Sequence, residues 1–318
     1  MSYVIMTSNS VSAALQTLLS SNTQLTEAQK RLSSGMQISD AKDNPGYWSV
    51  ANALTSDEST LTSVGDALNL SEAMIDTAYT AITTVLDQLS TLRATLVTAT
   101  DSSVDRSLTN VAVEGAKKAI ETAVISAQFS GTNWLTNGDA TLAGTNSIVT
   151  SFQRTGNGSV KLQTQGIPAA DTILIDTYDP GRGLLTRSID ANELNPDGTA
   201  TPRNYYLLAP GDGGTEIAVT DTTTEDEIAD MIDVIESMMA DISEIASRFG
   251  DMLNRVASQS SFAQSMAQTL KTSVSRLIDA NMEEVSVRVT AAETQASLAA
   301  ETVSLVNTNM KKLLLVFG

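Results

Sequence analysis

The chain has 318 residues, 37 of them acidic and 19 basic, giving a formal net charge of −18. It holds no cysteine and no histidine, which excludes disulfides, thiol nucleophiles, histidine-based triads and the usual zinc sites. Polyphosphate binding needs basic clusters, and adjacent Lys/Arg residues occur only at Lys30-Arg31, Lys117-Lys118 and Lys311-Lys312, so nucleic acid and anionic lipid are not expected partners.

The N-terminus, MSYVIMTSNSVSAALQTLLSS, has no basic residue before Lys30 and no uninterrupted apolar core, unlike a cleavable secretory signal. No apolar run reaches the roughly 18 residues that span a bilayer, so membrane insertion is not expected. These absences alone point to the cytoplasm. A helical series, Val4, Ser8, Val11, Leu15, Leu18, Asn22, Leu25, Gln29, Leu32 and Met36, predicts a first helix. Asn22 and Gln29 at seam positions would fix register at some cost in stability.

The polar stretch RLSSGMQISDAKDNPGYW, Arg31 to Trp48, interrupts that pattern twice. Gly35 can end the first helix in a left-handed cap. Asn44 as N-cap and Pro45 at the first helical position can start the next, with Gly46 completing the breaker. From Tyr47, steps of three and four then run through Val50, Leu54, Leu61, Val64 and Leu68 to Leu89, Leu92 and Leu96, interrupted only by Asp57 and Ser71. A shorter helix is predicted at about 106–128, with Val113, Ala116, Ile120, Ala123 and Ala127 on one face.

Turn-formers crowd the centre: twelve of the 18 glycines lie between Gly131 and Gly214, and five of the six prolines between Pro168 and Pro210. SIVTSFQRT and SVKLQTQ flank Gly156-Asn157-Gly158 as a hairpin, and TILIDTY, NYYLLA and TEIAVT are further short strands. Nine acidic and no basic residues fall between Asp221 and Glu244. They are expected to form a solvated helix face with Glu225 to Glu227 at its N-terminus, in preference to an ion site, since no EF-hand pattern is present. A third stripe runs Ile228 to Val274 and a fourth, unbroken, Ile278 to Phe317; consecutive steps of four at 270, 274, 278 and 282 shift the heptad and predict a domain end near Val274 to Met282. The expected fold class is mainly α with a small β-rich central part: long coiled-coil helices formed by both termini, a helical bundle core and β-hairpins. No catalytic residue, metal ligand or cofactor is expected.

LTEAQKRLSSGMQISDAKDNPGYWSVANAL resembles the N-terminal signature of bacterial flagellins, and SAQFSGTNWL resembles the family's Phe-Asn-Gly-x-x-Leu-Leu segment with Ser130 in place of the usual Asn. VSRLIDANMEEVSVRVTAAETQASLAAETVSLVNTNMKKLLLVFG is similar to the flagellin terminal helix. The likeness covers about 1–140 and 225–318. NPGYWS departs from the common DAAGLAIA and resembles the alpha-proteobacterial version.

The resemblance implies a subunit that polymerises with itself into the flagellar filament for motility, is exported through the type III channel without a cleaved signal, and meets cap and hook-associated proteins and an export chaperone. This overrides the cytoplasmic default. Residues 1–44 with 276–318 would form an inner coiled-coil domain, 45–175 with 216–275 a bundle core, and 176–215 a short variable outer segment whose removal should leave assembly intact. Leu15, Leu18, Leu25, Leu32, Val285, Val289, Ala292, Ala296, Ala299, Val303, Val306, Leu313 and Phe317 would form subunit contacts. Gly35, Asn44, Pro45 and Gly46 would form a linker between the filament's layers. Ordering a lone terminal helix pair costs backbone entropy that alanine-rich contacts barely offset, so both termini should order between subunits.

Flagellins sensed by the mammalian flagellin-specific Toll-like receptor resemble one another at Gln-Arg-Val-Arg-Glu-Leu-Ala-Val. The matching STLRATLV keeps Arg93 but has Thr91 for an arginine and Thr95 for a leucine, which implies a poor agonist. Two other readings remain open: a hook–filament junction protein, and a surface glycan-binding filament protein using Tyr178, Tyr205 and Tyr206. Proteolytic flagellin inserts carry His-Glu-x-x-His, which a chain without histidine cannot form.

Overall fold

The computed structural model describes residues 2–101, 103–141, 144–154, 160–195 and 203–317. Three helices follow in order: α1 (Ser2–Ser34), α2 (Pro45–Ala99) and α3 (Arg106–Ser126). Short strands β1 (Gln128–Phe129), β2 (Thr132–Asn133) and β3 (Thr136–Asn137) lead to a long antiparallel pair, β4 (Thr145–Arg154) and β5 (Val160–Pro168). Next come β6 (Ile175–Asp176), β7 (Ile189–Asp190), α4 (Ala191–Leu194), β8 (Asn204–Tyr206) and β9 (Thr215–Glu216), before α5 (Glu225–Ile278) and α6 (Met282–Phe317). Mainly helical, with a small β-containing centre, this is the expected class. The Gly156-Asn157-Gly158 turn lies outside the described residues, but the β4–β5 pairing it was predicted to join is present.

The chain divides into two compact units, Met1–Leu61 with Ser265–Gly318, and Thr62–Gln264. The second carries 27 acidic and 11 basic side chains, a net of −16, which leaves −2 for the first.

In the first unit, α1 packs along α6. Gly35 ends α1 with φ +70°, its N–H donating to Arg31 O at 2.9 Å, the left-handed cap expected of it. Asn44 caps α2 through Oδ1, accepting from Tyr47 N at 3.2 Å, and Pro45 is the first helical residue. Between them, Asp43 accepts from Ser39 N at 3.0 Å and Asp40 N at 3.1 Å, holding the loop in a tight turn. That loop pairs with the α5–α6 connection: Gln37 N and Ile38 N donate to Ile278 O, and Ala280 N donates to Gly35 O at 2.9 Å. Ile278 therefore closes α5, and Asn281 caps a separate α6.

In the second unit, α2, α3 and α5 enclose one core. Leu68, Ile75, Ile82, Leu89, Leu92 and Leu96 of α2 are fully buried, as are Val113, Ile120, Ile235, Ile242 and Val256. The predicted stripe is thus the buried face. Ser71, polar within that stripe, is buried because its hydroxyl accepts from Val149 N at 3.1 Å, fixing β4 on the helix.

Residues 176–215 are not peripheral to this core. Leu185 and Leu207 are fully buried, and Ala191, Tyr205 and Leu208 join the same cluster. Main-chain bonds lace the segment inward: Leu185 N donates to Leu174 O at 2.8 Å and Leu208 N to Leu185 O at 2.9 Å. A stretch read from composition as a variable outer segment therefore supplies packing that the helices do not supply for themselves.

The β1–β2 hairpin turns through Ser130 and Gly131 at φ +50° and +86°. Two successive positive φ values favour Asn-Gly, because asparagine tolerates the left-handed region better than serine. Ser130→Asn should raise stability by about 0.5–1 kcal/mol, part of the roughly 1–2 kcal/mol a left-handed L-residue costs. A higher denaturation midpoint at unchanged slope is the expected result; a lower midpoint would show that Ser130 makes a compensating contact.

Candidate assembly surfaces

α6 presents apolar residues on two opposite sides. Val285, Val289, Ala292 and Ala299 are buried, and Ala296, Val303 and Val306 are half-buried on the same side. Val287, Leu298 and Leu305 are 69%, 58% and 60% exposed. On a helix of 3.6 residues per turn these three fall within about 20° of one line, roughly opposite the buried seam. The outer line is legible as spacings of eleven and seven, but it was missed because the inner stripe accounts for the period. The side chains of Leu313 and Phe317 lie outside the described residues.

On α1 the packed face differs from the predicted one. Ser21 is buried and Ala14, Leu18, Leu25, Ala28 and Arg31 are half-buried, whereas Leu15, Asn22, Gln29 and Leu32 are exposed. Leu18 and Leu25 belong to both sets. The rest of the observed seam is mostly small: Ser21 lines a groove with Ala299, and Ala28 lines another with Ala292. Small residues permit close helix approach but carry little hydrophobic signal, which is why leucines dominated the prediction. Leu15, Leu19 and Leu32 remain on the open side.

The acidic run on α5 holds other elements. Arg93 Nε meets Glu236 at 2.8 Å, Arg187 meets Asp241 at 2.6 Å, Arg203 meets the buried Asp230 at 3.0 Å, and Arg248 bridges Glu244 and Asp171. Glu227 accepts from Thr224 N at 2.7 Å in a reciprocal capping box. Part of the face expected to be solvated thus clamps arginines that lie far away in sequence. Among the described residues, no group of three or more acidic side chains is arranged to hold a metal.

Two polar nodes fix the segments between the helices. Asp176, fully buried, accepts from Tyr178 N, Asp179 N and Asn137 Nδ2, each at 2.9 Å, and lies 3.0 Å from Arg182 Nε. Burial pushes its carboxyl pKa up, but these donors together outweigh burial and hold it below the ordinary value. Buried Lys117 pairs with Glu114 at 2.9 Å and with Glu216. Burial, with Asp230 and Glu227 nearby, raises the Tyr205 phenol to about 12.

Of the three tyrosines, only Tyr178 is largely exposed. Tyr205 is buried, Gly211 sits so close to the Tyr206 ring that a Cβ would meet it at 2.4 Å, and the exposed Tyr178 has Arg182 5.9 Å from its ring centroid. In the segment matched to the receptor pattern, Leu92 and Leu96 are buried, as is Leu89 just before it. Thr91 and Thr95 turn their hydroxyls back to Asp87 O and Thr91 O.

Paired terminal helices with apolar side chains left outward, continuous in sequence with a compact acidic unit, define a self-associating structural subunit. Models of the bacterial flagellin N-terminal helical region and the bacterial flagellin C-terminal helical region match residues 5–140 and 232–317. Flagellin C of Rhizobium meliloti (strain 1021) is 40% identical over 316 residues, covering 98% of each chain. Flagellin A of Rhizobium meliloti is 28% identical over 98% of this chain and 99% of its own, and the flagellin of Brucella melitensis is 28% identical over 98% of each. The chain belongs to the bacterial flagellin family and is of alpha-proteobacterial type. It is a structural subunit that polymerises into the flagellar filament, the extracellular appendage of motility.

Proposed function

We propose that polymerisation runs through the terminal helices, with α1 and α6 forming the filament's inner layer and the outer line of α6 meeting neighbouring subunits. The observation that carries this reading is the exposed Val287, Leu298 and Leu305 line opposite a seam already buried within the chain. Covering large apolar side chains on both sides of a helix contributes roughly 1.5–3 kcal/mol each, which a monomer leaves unused. Charge supports the same unit: −2 against −16 makes it the part of the molecule that repels its copies least. Leu15 and Leu32 are open to the same use, whereas Val285, Val289, Ala292 and Ala299 hold α6 to its own chain. Gly35, Asn44, Pro45 and Gly46 serve as the linker between inner layer and core.

A chain ending at Asn281 should remain folded in its second unit and form no filaments. Val303→Asp should act in the same direction by placing a carboxylate on the seam. Electron microscopy after seeding checks both; normal filaments from the truncated chain would remove α6 from the assembly path. Export through the type III apparatus with a chaperone, and contact with cap and hook-associated proteins, complete the reading.

Thr91 cannot offer an arginine's planar donors, and Thr95 forfeits most of a leucine's burial, so the monomer should be a poor agonist of the flagellin-sensing Toll-like receptor. A reporter assay on monomer should show potency lower by orders of magnitude than a flagellin with the full pattern; equal potency would refute this.

A further inference from the structure

Of the chain's two Asn-Gly pairs, Asn137-Gly138 lies among the described residues and Asn157-Gly158 does not. Asparagine is a chemically labile residue, and a following glycine has no side chain to obstruct attack of its amide nitrogen on the carboxamide. In that reaction a bond forms between Gly138 N and Asn137 Cγ, and the Cγ–Nδ2 bond breaks. Ammonia leaves with the proton that Gly138 N gave up. Water then opens the five-membered imide to aspartate or isoaspartate, with no oxidant or reductant involved.

Solvent is not what the fold withholds from this peptide. Exposed Gly138 follows β3, and with half-buried Asn137 it lines a cleft of about 450 Å³. The hydrogen bonds are what hold it. The Asn137 carboxamide donates twice, to Asp139 O and to Asp176 Oδ2, each at 2.9 Å. Thr177 N donates to Asn137 O at 2.9 Å where β3 runs beside β6. Closing the imide ring requires rotation about the Asn137 Cα–C bond out of the extended conformation, which breaks that pairing.

The product cannot take the place of the starting residue. Fully buried Asp176 uses Oδ1 to accept from Tyr178 N and Asp179 N, and Oδ2 to accept from Asn137 Nδ2 with Arg182 Nε 3.0 Å away. An aspartate or isoaspartate at position 137 replaces the donor to Oδ2 by a second carboxylate. Two like charges this close at a buried site disfavour the closed arrangement, and one arginine is left to serve both. We propose that Asn137 is a deamidation site gated by opening of the second unit. While Asp176 holds the carboxamide the residue is unreactive; once converted, it obstructs reclosure around Asp176. A reversible opening thereby becomes a lasting chemical mark.

The test holds the full-length chain in mildly alkaline buffer with and without urea and reads each Asn-Gly peptide by mass spectrometry. Conversion adds about 1 Da, as NH2 gives way to OH. In urea Asn137 and Asn157 should convert at similar rates, and native buffer should slow Asn137 at least tenfold. Asn137→Asp should lower the thermal midpoint. Combining Asn137→Asp with Asp176→Asn should recover part of that loss. The reversed pair again sets an amide donor against a carboxylate, and Oδ1 at position 176 still serves the two backbone amides. No conversion of Asn137 in urea would overturn the site, and equal conversion in both buffers would overturn the gate. A wild-type midpoint for Asn137→Asp, or a double variant no more stable than Asn137→Asp, would overturn the obstruction at Asp176.

Discussion

Replacing residues 176–215 by a short Gly/Ser turn should unfold the second unit. The replacement removes fully buried Leu185 and Leu207, together with Ala191, Tyr205 and Leu208, from one continuous core. Losing a single buried leucine side chain costs about 2–5 kcal/mol, and whole domains are stable by only about 5–15 kcal/mol. Two ion pairs to α5, Arg187–Asp241 and Arg203–Asp230, go with them, and the latter leaves a buried carboxylate without its arginine. Circular dichroism and urea titration should show loss of the cooperative transition and aggregation. A soluble variant with the wild-type midpoint would mean that α2, α3 and α5 close over the gap by themselves.

Asp176→Ala should destabilise the second unit by about 3–5 kcal/mol, since it leaves Arg182, Asn137 and two backbone amides without their shared acceptor. The pH dependence has a defined sign. A carboxyl held below its ordinary pKa when folded stabilises above the unfolded value of about 3.9, and that contribution fades as pH falls through the lower folded value. The gap in midpoint between wild type and Asp176→Ala should therefore be widest near neutrality and narrow below about pH 4. A gap that stays constant to the acid limit would mean that packing, not the charge, is what Asp176 contributes.

What could be read from the sequence tracks how local the cause is. The stripe from Leu61 to Leu96 is a three-four repeat and emerged as a buried helix face, because period alone determines it. Gly35, Asn44 and Pro45 were legible for a similar reason: each acts on its own backbone or within three residues. The α1 seam was half legible, since Leu18 and Leu25 announce themselves while Ala14, Ser21 and Ala28 work by being small. The acidic run is mostly an exposed face, as its composition suggests. What the sequence did not show is that Glu236, Asp241 and Asp230 also pair with Arg93, Arg187 and Arg203, which lie on α2 and in the central segment, where no spacing rule reaches. Residues 176–215 looked peripheral because strands of two or three residues among glycines and prolines carry no period. Their buried leucines are fixed by non-local main-chain bonds that composition does not report.

Electron cryomicroscopy of filaments grown from the purified chain tests the central claim most directly. The expected map has α1 and α6 in the innermost layer, with Val287, Leu298 and Leu305 packed against a neighbouring subunit. A filament whose subunits meet only through residues 62–264, with that line of α6 facing solvent, would contradict it.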